Sequence, residues 1–320
     1  MIYVHSLVNQ LRGDKSRKKN AREEVLQAQN SEIFCSGNFT PENQSRELRL
    51  LAYKNLLIAE KSTRLRGIFS PSITSLDFDM DGVKEFLCQL DNMNMYVHLL
   101  AGRIFEMDLF GVYRNYCDTP PGRSGLFLDH FITETELGEL QNGSFSRDNS
   151  VFAKTLYQDV HVDSGRHEIL LKTEGLYGAL QQTISLRKQF SFKIQEVQVQ
   201  YILKNDGPFN LSGIFVIELN IALSGSGRTP PRTVVFSRDK TSEDIIKTVS
   251  FQDVEWIQIS DSDTGVTFTI NANENPDATL IPITNMLNSD IEGVRVFLSW
   301  KVDLGPGFET EKMVFLKIDS

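Results

Sequence analysis

The chain has 320 residues, with 42 acidic against 33 basic side chains, a net charge of −9 and 40% hydrophobic residues. That is enough chain to bury a sizeable core, and the acidic balance argues against nucleic acid or an anionic membrane as partner, since both call for a basic surface. No apolar run reaches the ~18–20 residues that span a bilayer, and residues 1–10 lack the basic start and long apolar stretch of a signal peptide, so the expected location is cytoplasmic. Three widely spaced cysteines, Cys35, Cys88 and Cys117, form no CxxC pair, which fits reduced thiols and gives no reason to expect a structural zinc. Asn38, Asn142 and Asn210 stand in glycosylation sequons that a cytoplasmic chain would leave unmodified.

In chain order, Val4, Leu7, Val8 and Leu11 recur at i, i+3, i+4 and i+7 and predict an amphipathic helix over the first dozen residues. Asp14 is placed to cap a second helix running to about residue 35, with Ala21, Val25 and Ala28 on one face. Thr40-Pro41 supplies a cap and a first-turn proline for a third helix, which should reach about residue 62. Spaced at ~100° per residue, Leu48, Leu51, Ala52, Leu56, Ile58 and Ala59 of that helix share one arc and should face a core. Leu50, Tyr53 and Leu57 lie on the opposite side. The first two helices are expected to cover them; the competing account is a partner docked there.

Residues 76–124 then read as the first sheet of a β-sandwich. Gly82, Asp91-Asn92 and Ala101-Gly102 divide Val83, Phe86, Leu87, Leu90, Met95, Val97 and Leu99 among short strands. From there the period is two. Val197, Val199, Tyr201 and Leu203 alternate with glutamines, and Phe215, Ile217, Leu219, Ile221 and Leu223 alternate with Glu218, Asn220 and Ala222. Further strands are expected at 151–160, 168–173, 183–192, 232–236, 249–252, 256–260, 266–271, 279–283, 294–302 and 312–318. Turn residues separate them, and no helical pattern is read between them. The fold class is therefore mainly β: a large antiparallel β-sandwich over residues 67–320, preceded by a short α-helical segment over residues 1–66.

Few motifs carry chemistry. Asp77, Asp79, Asp81 and Gly82 open like a calcium-binding EF-hand loop, but the twelfth position is Cys88 instead of a glutamate, and strands stand where helices should flank it. The expected reading is an Asp-Gly turn between strands. Ser224-Gly-Ser-Gly lacks the lysine of a phosphate loop. His5, His98, His130, His161 and His167 show no metal-ligand spacing, and no metal or cofactor is expected. Asp129-His130 beside Glu134, Glu136 and Glu139 suits acid–base work in type, but the separation such work needs is not given by sequence, and the expected reading is a solvated edge. The residues alone disclose no reaction.

Two blocks resemble the C-terminal half of glycoside hydrolase family 57 enzymes of the 4-α-glucanotransferase and α-amylase type. The first is Gln10-Leu-Arg-Gly-Asp14-Lys, Ala21-Arg-Glu-Glu24-Val-Leu-Gln-Ala-Gln29 and Ala52-Tyr53-Lys-Asn-Leu-Leu-Ile-Ala-Glu60. The second is Leu76-Asp-Phe-Asp-Met-Asp-Gly82, Gly102-Arg-Ile-Phe-Glu106-Met-Asp108 and Asp129-His130-Phe131, followed later by Phe215-Val-Ile-Glu218-Leu-Asn220. The resemblance implies a galactose mutarotase-like sandwich that in the family follows a (β/α)7 catalytic barrel and a helical region. The barrel carries the catalytic carboxylates, so no catalytic residue is assigned here. Where the family has Asp-x-Tyr-Trp-His-Gly, this chain has Glu32-Ile-Phe34-Cys35-Ser36-Gly37, without the sugar-stacking tryptophan.

These readings lead to an expected role as an accessory or relict module, catalytically silent alone, that binds α-glucan or oligosaccharide or packs against another protein. The residues expected to face substrate or partner are Glu32, Phe34, Leu50, Tyr53 and Leu57. One alternative is half of a split 4-α-glucanotransferase whose barrel is a separate chain, self-association being the other packing option. A second alternative is a mutarotase-like sugar epimerase, for which no convincing histidine–glutamate pair is recognisable in the sequence.

Overall fold

The structure is a computed structural model and describes residues 1–29, 42–65, 67–119, 125–146, 150–224, 232–237, 241–242, 246–284 and 291–319. Among the described residues, three helices come first: α1 (Ile2–Gln10), α2 (Lys15–Gln27) and α3 (Glu42–Thr63). Asp14 caps α2 as expected, its Oδ1 accepting from Arg17 N at 2.9 Å, but the helix stops at Gln27, short of residue 35.

Nineteen strands among the described residues form two antiparallel sheets. The first holds β1 (Ser72–Leu76), β2 (Glu85–Gln89), β3 (Met93–His98), β4 (Arg103–Leu109), β5 (Arg114–Asn115), β6 (Leu126–Ile132), β11 (Leu211–Ala222), β14 (Val249–Phe251), β17 (Asp277–Thr284) and β18 (Ile291–Leu304). Its order is β1-β2-β3-β4-β6-β11-β18-β17-β14, with β5 paired to β4. The second sheet runs β13-β12-β15-β16-β19-β10-β9-β8-β7. Its strands are β7 (Gln158–Asp163), β8 (Glu168–Tyr177), β9 (Gln182–Lys193), β10 (Glu196–Asn205), β12 (Arg232–Ser237), β13 (Thr241–Ser242), β15 (Val254–Ser260), β16 (Thr267–Ala272) and β19 (Glu309–Asp319).

The core lies between the sheets, where Met95, Val97, Phe215 and Leu219 of the first meet Phe190, Val199, Phe268 and Leu316 of the second. The outer faces differ. On the second sheet, buried and less buried positions alternate along β10 and β19, because that face looks to solvent. On the first, β2, β3 and β6 are buried at every position, because helices and the turn between β1 and β2 cover the other side. The expected break at Ala101-Gly102 falls in the four-residue connection 99–102 between β3 and β4, where Gly102 N donates to the Leu99 carbonyl and both Ala101 and Gly102 have positive φ (64° and 51°).

Two expectations are corrected. The segment 151–160 is not one strand; β7 begins only at Gln158. The stretch after residue 66 also contains a helix, α4 (Glu134–Gln141), capped by a reciprocal Thr133–Glu136 box and packed through Leu140 on Ile132, Ile214, Val216 and Phe297. Glu134 and Glu136 therefore belong to a helix start, where negative charge is favoured, and not to a sheet edge. No helix among the described residues is long and apolar enough to cross a membrane. Cys88 and Cys117 are free and buried.

Candidate functional site

Helix α3 is covered on two sides. Ala59 packs with Val4, Val8, Ala21 and Val25 of α1 and α2, with Leu56 alongside. Tyr53, Leu57, Glu60 and Arg64 follow at i, i+4, i+7 and i+11, one stripe along the helix and just past its end, and this stripe faces the first sheet. The sheet, and not the first two helices, thus covers the face expected to lie opposite the core. Leu57 is only 3% exposed and packs inside the chain. Leu51, expected in the core, is 51% exposed.

The seam between α3 and the sheet is polar and closed. Glu60 Oε1 accepts from Arg64 Nη2 (2.9 Å), Gln89 Nε2 (3.0 Å) and Asn94 Nδ2 (3.1 Å), and Asn94 Nδ2 also reaches Asp108 Oδ2 at 3.1 Å. Arg64 donates in addition to the Leu90 carbonyl and Asn94 Oδ1, and its guanidinium lies 4.1 Å from the Phe110 ring centroid. Tyr3 of α1 joins through Gln89 Oε1 at 3.0 Å. Glu106 and Asp108 stand two residues apart on β4 and so share one face of the strand. Burial, with the charge of Glu60 adding to it, pushes Glu106 up to about 7. Burial followed by the charge of Glu106 holds Asp108 well above the usual carboxylate range. Two carboxyls so placed do not both ionise cheaply near neutral pH. The Tyr53 hydroxyl is bonded to Asn115 and Glu106, and the Glu106 charge together with burial raises its pKa well above 10.0.

Where Tyr53 reaches the surface, the seam opens into a pocket of about 290 Å³. Leu50, Leu51, Tyr53 and Lys54 of α3 form one wall, and Val112, Tyr113, Arg114, Asn115, Asp118 and Thr264 form the other. Tyr113 has φ 53°, a left-handed conformation that a bulky residue rarely adopts, and Lys61 Nζ sits 4.8 Å from its ring centroid. Arg49 Nε lies 3.4 Å from Asp118 Oδ2 at the rim. The wall offers apolar surface, aromatic rings and paired charged and amide groups, a combination suited to a polyhydroxylated ligand.

Of the residues expected to face substrate or partner, Leu50 and Tyr53 line this pocket, Leu57 does not, and Glu32 and Phe34 lie outside the described residues. The Asp129-His130 pair is split by strand alternation. Asp129 turns into the core, where its Oδ2 meets Lys188 Nζ at 2.7 Å and the Tyr157 hydroxyl at 2.8 Å. His130 turns to the other face, where Nε2 lies 3.0 Å from Glu218 Oε2 and Nδ1 lies 2.9 Å from Ser150 Oγ. The sequence reading missed this histidine–glutamate pair because it depends on the β6–β11 register, which local pattern does not encode. His130 and Glu218 are both 0% exposed, so the pair is sealed from any sugar in this conformation.

A family model described as alpha-amylase/4-alpha-glucanotransferase, C-terminal, matches residues 122–290. Among solved structures, 4-alpha-glucanotransferase from Thermococcus litoralis superposes with a TM-score of 0.72 at 18% identity, covering 99% of this chain and 48% of that one. The chain therefore spans about half the length of that enzyme. A putative aldose 1-epimerase from Escherichia coli K12 superposes at 0.57 with 10% identity, covering 74% of this chain and 99% of that one. A galactose mutarotase-like protein from Lactobacillus casei gives 0.56 at 8% identity, with 73% and 100% covered. Identities this low show the fold alone. No curated protein matches the chain in sequence. With the model matched over more than half of the chain, this protein belongs to the family of alpha-amylase/4-alpha-glucanotransferase C-terminal domains.

Proposed function

We propose that this chain is the non-catalytic C-terminal module of a glucan-processing protein, and that the α3 pocket holds a segment of α-glucan. The observation that carries the reading is the pocket itself: Tyr53 and Tyr113 flank an opening also lined by the polar side chains of Lys54, Arg114, Asn115, Asp118 and Thr264. Flat rings take the apolar faces of pyranoses, while guanidinium, carboxylate and amide groups take their hydroxyls. The buried carboxylates with raised pKa, Glu106 and Asp108, are tied to Tyr53 and Asn94 beneath the helix, which suits a structural role better than acid–base catalysis. Calorimetric titration with maltoheptaose tests the binding. Saturable binding that weakens on Tyr113→Ala, without glucose release or transfer, is the expected result. Turnover of maltooligosaccharides by the purified chain would refute the non-catalytic assignment.

A second reading is half of a split glucanotransferase, motivated by the apolar residues at the open rim of the pocket. In that case the pocket rim, with Leu51 at 51% exposure, would meet the barrel-bearing chain. Affinity capture from native cells, followed by mass spectrometry of the eluate, distinguishes it by recovery of a chain with a catalytic barrel. The epimerase reading is disfavoured by the sealed His130–Glu218 pair, and polarimetry on fresh α-glucose checks it.

A further inference from the structure

Asp79 and Asp81 of the turn between β1 and β2 and Glu85 at the start of β2 lie against His98 of β3, with one ligand-type atom from each within 4.8 Å of the others. His98 Nε2 lies 3.2 Å from Asp81 Oδ2, 3.5 Å from Glu85 Oε1 and 3.8 Å from Asp79 Oδ2. Each carboxylate spends its other oxygen on a backbone amide: Asp79 Oδ1 on Asp81 N, Asp81 Oδ1 on Val83 N, and Glu85 Oε2 on Phe78 N. The inward oxygens are thereby aimed at one point. Independent of that clustering, Glu85 is 0% exposed and its inward Oε1 has no hydrogen-bond partner. A buried carboxylate oxygen left without a donor is costly, and a cation at the convergence point would satisfy it.

We propose that Asp79, Asp81, Glu85 and His98 form a site for a divalent transition-metal ion of the zinc class. An ion holding its ligands at ~2.1 Å in a tetrahedron separates them by about 3.4 Å, and the three distances from Nε2 bracket that value. An imidazole among three carboxylates favours zinc or manganese over calcium, which takes oxygen ligands. The ring has to change state for this. Leu100 N donates to His98 Nδ1 at 2.9 Å, so the neutral ring carries its proton on Nε2, facing the carboxylates. On loading, the Nε2 lone pair binds the cation, so the ring proton has to move from Nε2 to Nδ1 and the Leu100 amide has to release Nδ1. No proton is gained or lost by the ring. The bound ion would fasten the β1–β2 turn to β3.

The test uses the full chain, stripped with a chelator and titrated with zinc, manganese and calcium chlorides by calorimetry. Long-range ¹H–¹⁵N spectra of the histidines are followed alongside. Expected are one zinc per chain, movement of the His98 proton to Nδ1, and a raised melting temperature. Asp79→Asn and Asp81→Asn together, at residues whose side chains are 44% and 40% exposed, should keep the wild-type circular dichroism and weaken zinc at least about tenfold. His98→Gln should abolish the preference for zinc over calcium. No binding, zinc affinity unchanged in the double variant, or calcium bound more tightly with the His98 tautomer unmoved would each overturn the proposal.

Discussion

Asn94 Nδ2 lies 3.1 Å from Glu60 Oε1, so a side-chain amide on β3 completes the donor shell of a carboxylate on α3. The same nitrogen reaches Asp108 Oδ2 at 3.1 Å, and Asn94 is 0% exposed. Truncating it leaves two buried acidic oxygens short of a donor. Asn94→Ala should cost roughly 1–3 kcal/mol in urea unfolding. An unchanged denaturation midpoint would show that the seam is not fastening α3 to the sheet.

The strands were legible because one face of the second sheet meets solvent and imprints period two on β10 and β19. The first sheet was harder to read, since β2 and β3 are buried on both faces and their polar residues, Glu85, Gln89, Asn94 and His98, are masked among apolar neighbours. Helix α4 escaped because its eight residues are too short for a periodic stripe, although Thr133 and Glu136 spelled a capping box. Leu50 and Tyr53 were readable as an apolar face without an obvious cover. Their pocket was not, because Arg114, Asp118 and Thr264 arrive from distant parts of the chain.

The seam predicts a pH dependence. Glu106 is held up at about 7 against an ordinary 4.5, chiefly by burial, so between those values the folded chain binds more protons than the unfolded one. Stability from this group is therefore greatest below about 4.5, falls as pH rises toward 7, and is flat above; Asp108 shifts in the same direction. Glu106→Gln should remove most of its share of the decline, on the order of 3 kcal/mol. Urea unfolding at pH 5, 6, 7 and 8 in both proteins measures it. Parallel curves would place the pH dependence elsewhere.

Tyr113 separates binding from folding. Its φ of 53° stores strain that glycine does not pay, whereas its ring forms part of the pocket wall. Tyr113→Gly should leave stability unchanged or raise it by about 1 kcal/mol while weakening maltoheptaose by about 1 kcal/mol or more. Loss of both stability and binding would mean that the ring supports the β4–β5 turn and is not a sugar contact.

The Lys188–Asp129 pair tests what the sandwich interior tolerates. Nζ and Oδ2 are 2.7 Å apart and both side chains are 0% exposed. Burial raises the Asp129 pKa and lowers that of Lys188, so desolvation outweighs their mutual attraction at each partner. Lys188→Met leaves a buried carboxylate without its cationic partner, the Tyr157 hydroxyl still donating at 2.8 Å, and should cost about 3–5 kcal/mol. Adding Asp129→Asn removes the stranded charge but keeps an acceptor for Tyr157, so the double variant should recover at least half of that loss. A double-mutant cycle by urea unfolding decides the point. Strictly additive losses would mean that Asp129 is held by Tyr157 and its strand, and that Lys188 contributes packing against the Tyr157, Phe190 and Tyr201 rings instead of charge.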